Sequence, residues 1–135
     1  MIGLDTNVLV RYFAQDDRRQ SRVASRLIES LTIEEPGFVS VVTLAETVWI
    51  LQDVYDRGHA EVAAIVESLL QTEAIEVQMS ELVSQALRRF RSSRADLADH
   101  LIERLGASVN CSSTVTFDKI AARDAGLRLL TETDK

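Results

Sequence analysis

A single cysteine, Cys111, leaves the 135-residue chain without an internal disulfide, as expected of a protein kept in a reducing cytoplasm. On general burial habit that thiol is expected in the interior, as a small apolar group. Proline occurs once, at Pro36, inside the turn Glu34-Glu35-Pro36-Gly37. No apolar run approaches the roughly 18 residues of a membrane-crossing helix. No basic leader with an apolar stretch and a small-residue cleavage site precedes Asp5, so the expectation is a cytoplasmic protein without a membrane partner. Aromatic residues make up 5% of the chain. Trp49 and Phe90 lie on apolar helical stripes and are read as packing residues rather than base-stacking platforms.

What is present is ordinary for a globular protein. Hydrophobic residues account for 46% and charged residues for 27%, consistent with one domain over residues 1–135 and a real core. The net charge of −6 argues against a polyanionic partner, but the basic residues are unevenly placed. Arg11, Arg18, Arg19, Arg22 and Arg26 cluster early, and Arg88, Arg89, Arg91 and Arg94 lie in an acid-free run from Leu82 to Ala95. Only Lys119 and Lys135 are lysine, and arginine is the better bidentate phosphate binder. Solvated helix faces produce the same pattern.

Met1 to Leu4 reads as a short buried strand and Thr6 to Phe13 as a helix. Asp16 and Asp17 are candidate caps for a helix over Arg18 to Leu31, whose expected apolar stripe is Val23, Leu27, Ile28 and Leu31. Phe38–Val41 follows as a strand. Thr43–Asp56 and His59–Gln71 are helices, Ala74–Val77 a strand, and Glu81–Phe90 and Asp96–Gly106 helices. Ser113–Thr116 is a strand, Lys119–Ala125 a helix ended by Gly126, and Leu127–Leu130 a last strand. Strands alternating with helices predict an α/β protein with a parallel sheet covered on both faces, its strand order open.

The opening "GLDTNVLVR" sets three polar residues between apolar runs, with Asp5 at the end of the first strand. In open α/β sheets, ligands bind outside the carboxyl ends of strands. Asp118 ends the strand "STVTF" in the same way, and Glu46 lies one turn into the helix after the second strand. Asp96 and Asp99 share one face of a helix. These five carboxylates are expected to meet at one sheet edge. Crowded like charges call for a cation, and a carboxylate set with one cysteine and two histidines suits Mg²⁺ or Mn²⁺, not zinc. One or two such ions serve phosphodiester hydrolysis by binding a phosphate oxygen and activating water. Each acid also has a structural reading. Asp5 and Asp118 can cap the following helices. Thr43 and Glu46 fit a capping box, and Asp96 suits an N-cap, which leaves Asp99 as the ligand and Asp96 as its helper. Thr6 and Thr116 can orient a carboxylate or a bound water, and Asn7 can fix its turn through backbone. His100 points about 100° away from Asp99 and is given no catalytic role.

"LDTNVLVRYF", "TLAETVWIL", "ADLADHLIERLGASVNC" and "STVTFDKIAARDAGLRLL" resemble the signature blocks of PIN-domain proteins. Within them the chain is most similar to the VapC-type ribonuclease toxins of bacterial toxin–antitoxin pairs. The likeness runs from Met1 to about Leu130, with the blocks in family order. It implies a three-layer α/β/α fold with a central parallel sheet and Mg²⁺- or Mn²⁺-dependent endonuclease activity on RNA. It also implies a homodimer held by an antitoxin protein. Asp5, Glu46, Asp99 and Asp118 match the family's acidic quartet, Asp96 a frequent extra acid, and Thr6, Asn7 and Thr116 the supporting polar positions. Glu103 departs from the pattern, and is left outside the site. The candidate RNA contacts are Arg11, Arg88, Arg89, Arg91 and Arg94.

Two other classes compete with a nuclease. A catalytically silent binding module would use the same acids to receive a basic peptide. An aspartyl-phosphate phosphatase or phosphotransfer domain also places Asp at the end of its first strand, but the commonest ones want a second Asp where Asn7 stands.

Overall fold

Residues 1–134 are described by a computed structural model, and their contacts divide them into one unit over Met1–Ser80 and a second beginning at Glu81. In the first, β1 (Ile2–Gly3) leads through α1 (Thr6–Ala14) and α2 (Arg18–Ser30) to β2 (Gly37–Val39). Helices α3 (Val41–Asp53) and α4 (His59–Gln71) then return the chain to β3 (Ile75–Val77). The strands form a parallel sheet in the order β1-β2-β3, with Ile2 opposite Gly37 and Val39 opposite Val77. Parallel neighbours need a crossover, and the helices between successive strands supply it. Gly37 is closely packed: a Cβ there would lie 2.8 Å from Leu31 Cδ1 and 3.0 Å from Leu4 Cδ1, so those side-chain ends would have to shift. Leu9, Val39, Leu44, Leu51, Val62 and Val66 are fully buried.

The second unit holds all but the first residue of α5 (Ser80–Phe90), then α6 (Leu97–Ser108), β4 (Val115–Thr116), α7 (Lys119–Ala125) and β5 (Arg128–Leu129). β4 and β5 pair in parallel, Val115 opposite Arg128 and Thr116 opposite Leu129. Ala95, Ala121, Ala125 and Leu127 form an apolar cluster, and Phe90 is buried. Gly126 ends α7 at φ 78°, a left-handed conformation that costs glycine nothing.

The α/β class and parallel pairing expected from the sequence are present, and the elements fall close to their expected bounds. Several local expectations fail. The strand expected to be buried over Met1–Leu4 is exposed at Met1, Ile2 and Gly3, and only Leu4 is buried. Val23 is 61% exposed, and the residues that α2 buries are Ser21 and Ala24. Trp49 is exposed too, since the buried face of α3 runs through Leu44, Thr47, Val48 and Leu51. Cys111 is exposed in the segment after α6, where no element covers its thiol.

Candidate functional site

β1 delivers Asp5 to the start of α1. Its Oδ1 accepts the Thr6 N–H at 2.8 Å, so the expected cap is formed. Thr6 is buried, and its hydroxyl donates to Glu46 Oε1 at 2.5 Å across 40 residues of sequence. Helix α3 starts at Val41, two residues before the expected Thr43, and Ser40 is its cap, accepting the Thr43 N–H at 3.1 Å. The Thr43–Glu46 capping box is therefore replaced, because a serine stands where the backbone already leaves β2. Glu46, freed from the cap, pairs with Thr6 instead.

Asp5, Thr6, Asn7, Arg11, Glu46 and Tyr55 line one cavity of about 310 Å³. Asp5 and Glu46 are exposed, so their charges stay hydrated. The Asn7 side chain makes no hydrogen bond among the described residues, contrary to the expected turn-fixing role, and Asn7 is exposed and lines the cavity. Arg11 is fixed by its neighbours: Nε donates to Gln20 at 2.7 Å, and Nη1 to Tyr55 at 3.0 Å and to Asp16 at 3.3 Å. Tyr55 closes the network by donating to Asp16 Oδ2 at 2.6 Å. That hydrogen bond is the main reason the Asp16 carboxyl sits below its usual range. Sequence reading missed Tyr55, which lies 44 residues from Arg11 and carries no local signal.

In the second unit Asp96 begins α6, and the Asp99 carboxylate turns back to accept the Asp96 N–H at 3.1 Å. Burial pushes the Asp99 carboxyl up from its ordinary value. The Asp96 N–H opposes this and the negative charge of Asp118 adds to it. Asp99 and Asp118 are thus electrostatic neighbours. Asp118 follows β4 and caps α7, its Oδ1 accepting the N–H groups of Ile120 at 2.8 Å and Ala121 at 3.0 Å. The Thr116 hydroxyl accepts the Asp118 N–H at 3.0 Å and so sets the turn.

His100 is buried and its Nε2 lies 2.8 Å from the Ser93 hydroxyl, away from any catalytic role. Glu103 is bound by Arg104 at 2.6 Å and Arg89 at 3.2 Å. The Arg104 hydrogen bond chiefly holds its carboxyl low, so the residue departing from the family pattern is an ion-pair partner. Arg88, Arg91 and Arg94 are exposed.

Within each unit the described residues contain no group of three or more His, Cys, Asp or Glu side chains able to hold a metal ion. The donors present are nonetheless of one kind. They are carboxylate oxygens with a hydroxyl bound to one of them, while His100 is occupied by Ser93 and Cys111 stands apart. Oxygen donors of this kind fit a hard divalent cation.

Parallel strands leading into acid-bearing helix starts define an α/β protein with an acidic site. The chain belongs to the PIN domain family, whose model matches residues 2–127. PIN domains are generally metal-dependent nucleases. No curated protein and no solved structure matches the chain. No helix among the described residues is long and apolar enough to cross a membrane.

Proposed function

We propose that this chain is a Mg²⁺- or Mn²⁺-dependent endoribonuclease, with Asp5, Glu46, Asp99 and Asp118 as the ligands of one or two ions. The observation that carries the reading is the pairing in the first unit. Asp5 and Glu46, far apart in sequence, line one cavity, and a buried threonine hydroxyl aims Glu46. A bound divalent ion supplies Lewis acidity toward a phosphate oxygen and acidifies water. The protein's own part is to hold carboxylates in fixed orientation. Thr6 does this for Glu46, the Asp96 N–H for Asp99, and the α7 backbone with Thr116 for Asp118. Burial and the charge of Asp118 raise the Asp99 carboxyl, and a cation beside it would oppose both effects.

The likeness of the four sequence blocks supports a toxin of a type II toxin–antitoxin pair, acting in the cytoplasm as a homodimer held by a cognate antitoxin. Arg88, Arg91 and Arg94, exposed on and just after α5, are the proposed backbone contacts to RNA, which position a strand without choosing its sequence. The test is incubation of purified protein with RNA in Mn²⁺ and in EDTA. This route leaves the ribose 2′-hydroxyl unused, so the expected products carry 5′-phosphate and 3′-hydroxyl ends and form only with metal. Cyclic-phosphate ends, or cleavage that survives EDTA, overturn the mechanism.

A further inference from the structure

The Arg11 guanidinium is tied along one side only. Nε is held by Gln20, and Nη1 by Tyr55 and Asp16. Nη2 has no hydrogen-bond partner among the described residues. Arg11 is one of the residues lining the cavity that Asp5 and Glu46 share, and Tyr55 lines it too. The ion pair with Asp16 is only part of what holds Arg11. Gln20 and Tyr55 are neutral, and Asp16 alone would hold a floppy side chain at 3.3 Å. The tyrosine hydroxyl, accepting from Nη1 and donating to Asp16 Oδ2, locks both partners at once. What remains on Arg11, a residue of this cavity's lining, is the pair of N–H donors on Nη2, a grouping suited to a phosphate oxygen.

We infer that Tyr55 is a positioning residue, which with Asp16 presents the free edge of Arg11 to a phosphate of the RNA strand whose scissile group lies at Asp5 and Glu46. This rests on the endoribonuclease reading and adds residues to it. Asp16 has a double effect: it orients Arg11 and it offsets part of the positive charge, so that the neighbouring acids keep their affinity for a cation. A phosphate contact of this kind adds to substrate binding more than to the chemical step, which belongs to the carboxylates.

The experiment compares wild type with Tyr55→Phe, Asp16→Asn, Arg11→Gln and, as a control on an unconnected tyrosine, Tyr12→Phe. Cleavage of a labelled single-stranded RNA in Mn²⁺ gives KM and kcat, and anisotropy in Ca²⁺ gives the dissociation constant. Tyr55→Phe and Asp16→Asn are expected to raise KM and the dissociation constant about tenfold, as for one lost charge-assisted contact, with kcat changed less than about twofold. For Arg11→Gln the slope of log affinity against log salt should fall by about 0.7, the value for one phosphate contact on a single strand. A purely structural defect moves the melting temperature without that change in slope. If wild type cleaves RNA and all three variants match it in KM, the inference fails and the nuclease reading stands. If wild type neither binds nor cleaves RNA, both fail. If Tyr55→Phe unfolds, the Arg11→Gln salt slope decides alone, and an unchanged slope overturns the inference.

Discussion

Asp118 caps α7, and its substitutions can separate that structural job from metal binding. Its Oδ1 accepts two N–H groups at the start of α7, a helix of only seven residues with little else to hold its first turn. Asp118→Ala removes the acceptor, which costs about 1 kcal/mol by the usual worth of an N-cap. In a chain of this size that lowers the melting temperature by about 4 °C. Asp118→Asn keeps an amide oxygen in the same place, and asparagine caps as well as aspartate. It loses about 0.5 kcal/mol of charge–dipole attraction, and this is offset by ending the repulsion that helps to raise Asp99. The asparagine variant should therefore melt within a degree or so of wild type without metal. If Asp118 is also a metal ligand, both variants should lose at least about 100-fold in Mn²⁺-dependent RNA cleavage, the upper end of what a mere outer-sphere partner costs. The assays are thermal melts in EDTA and initial cleavage rates across a Mn²⁺ titration. An asparagine variant that cleaves like wild type refutes the ligand role, and an alanine variant that melts like wild type refutes the capping argument.

Glu103, with its side chain 17% exposed, is held below its ordinary value of 4.5 mainly by Arg104. An acid whose folded value is depressed adds stability that is present above 4.5 and lost as pH falls through the lower folded value. Glu103→Gln should therefore cost about 1 kcal/mol at neutral pH, and urea melts should converge with wild type in strong acid; a gap that persists there contradicts the assignment. Thr6→Val keeps the buried shape but removes the donor to Glu46. It should weaken Mn²⁺-supported cleavage about tenfold, with Thr6→Ser restoring it, and equal Mn²⁺ titrations for all three proteins would show that the hydroxyl orients nothing of consequence.

The fold was largely legible because its signals are local. Asp5, Asp17, Asp118 and Gly126 mark helix ends by side-chain or backbone chemistry that a few residues determine, and each stands where the structure needs it. Burial was less legible. Val23 and Trp49 sit on apolar helical spacings, yet which face of a helix turns inward depends on partners that spacing does not name. On α2 the buried residues are Ser21 and Ala24, while Leu27 and Ile28 of the expected stripe are half-buried. Cys111 shows the same limit: average habit buries a thiol, whereas its place after α6 leaves it in solvent.

The site divides along the same line. Asp5, Glu46, Asp99 and Asp118 were readable as acids because each stands close to a strand end or helix start, which is a property of the chain nearby. Thr6 and Thr116 were readable as residues able to orient a carboxylate, but which acid each would meet was not. The hydroxyl aimed at Glu46 comes from 40 residues away, displacing a capping box that Thr43 and Glu46 satisfy on paper. Helix α3 starts two residues sooner, with Ser40 accepting the Thr43 N–H and the Gln78 side chain accepting the Val41 N–H, which leaves that carboxylate outside the cap. Tyr55 and Asp16 form a bond between the end of one helix and the segment after another, 39 residues apart. A carboxylate's identity is thus written in its own neighbourhood, but its orientation is fixed by hydrogen bonds that close long loops. Orientation is what separates an acidic surface from a site, so Thr6→Val and Tyr55→Phe probe function more directly than further removal of acids.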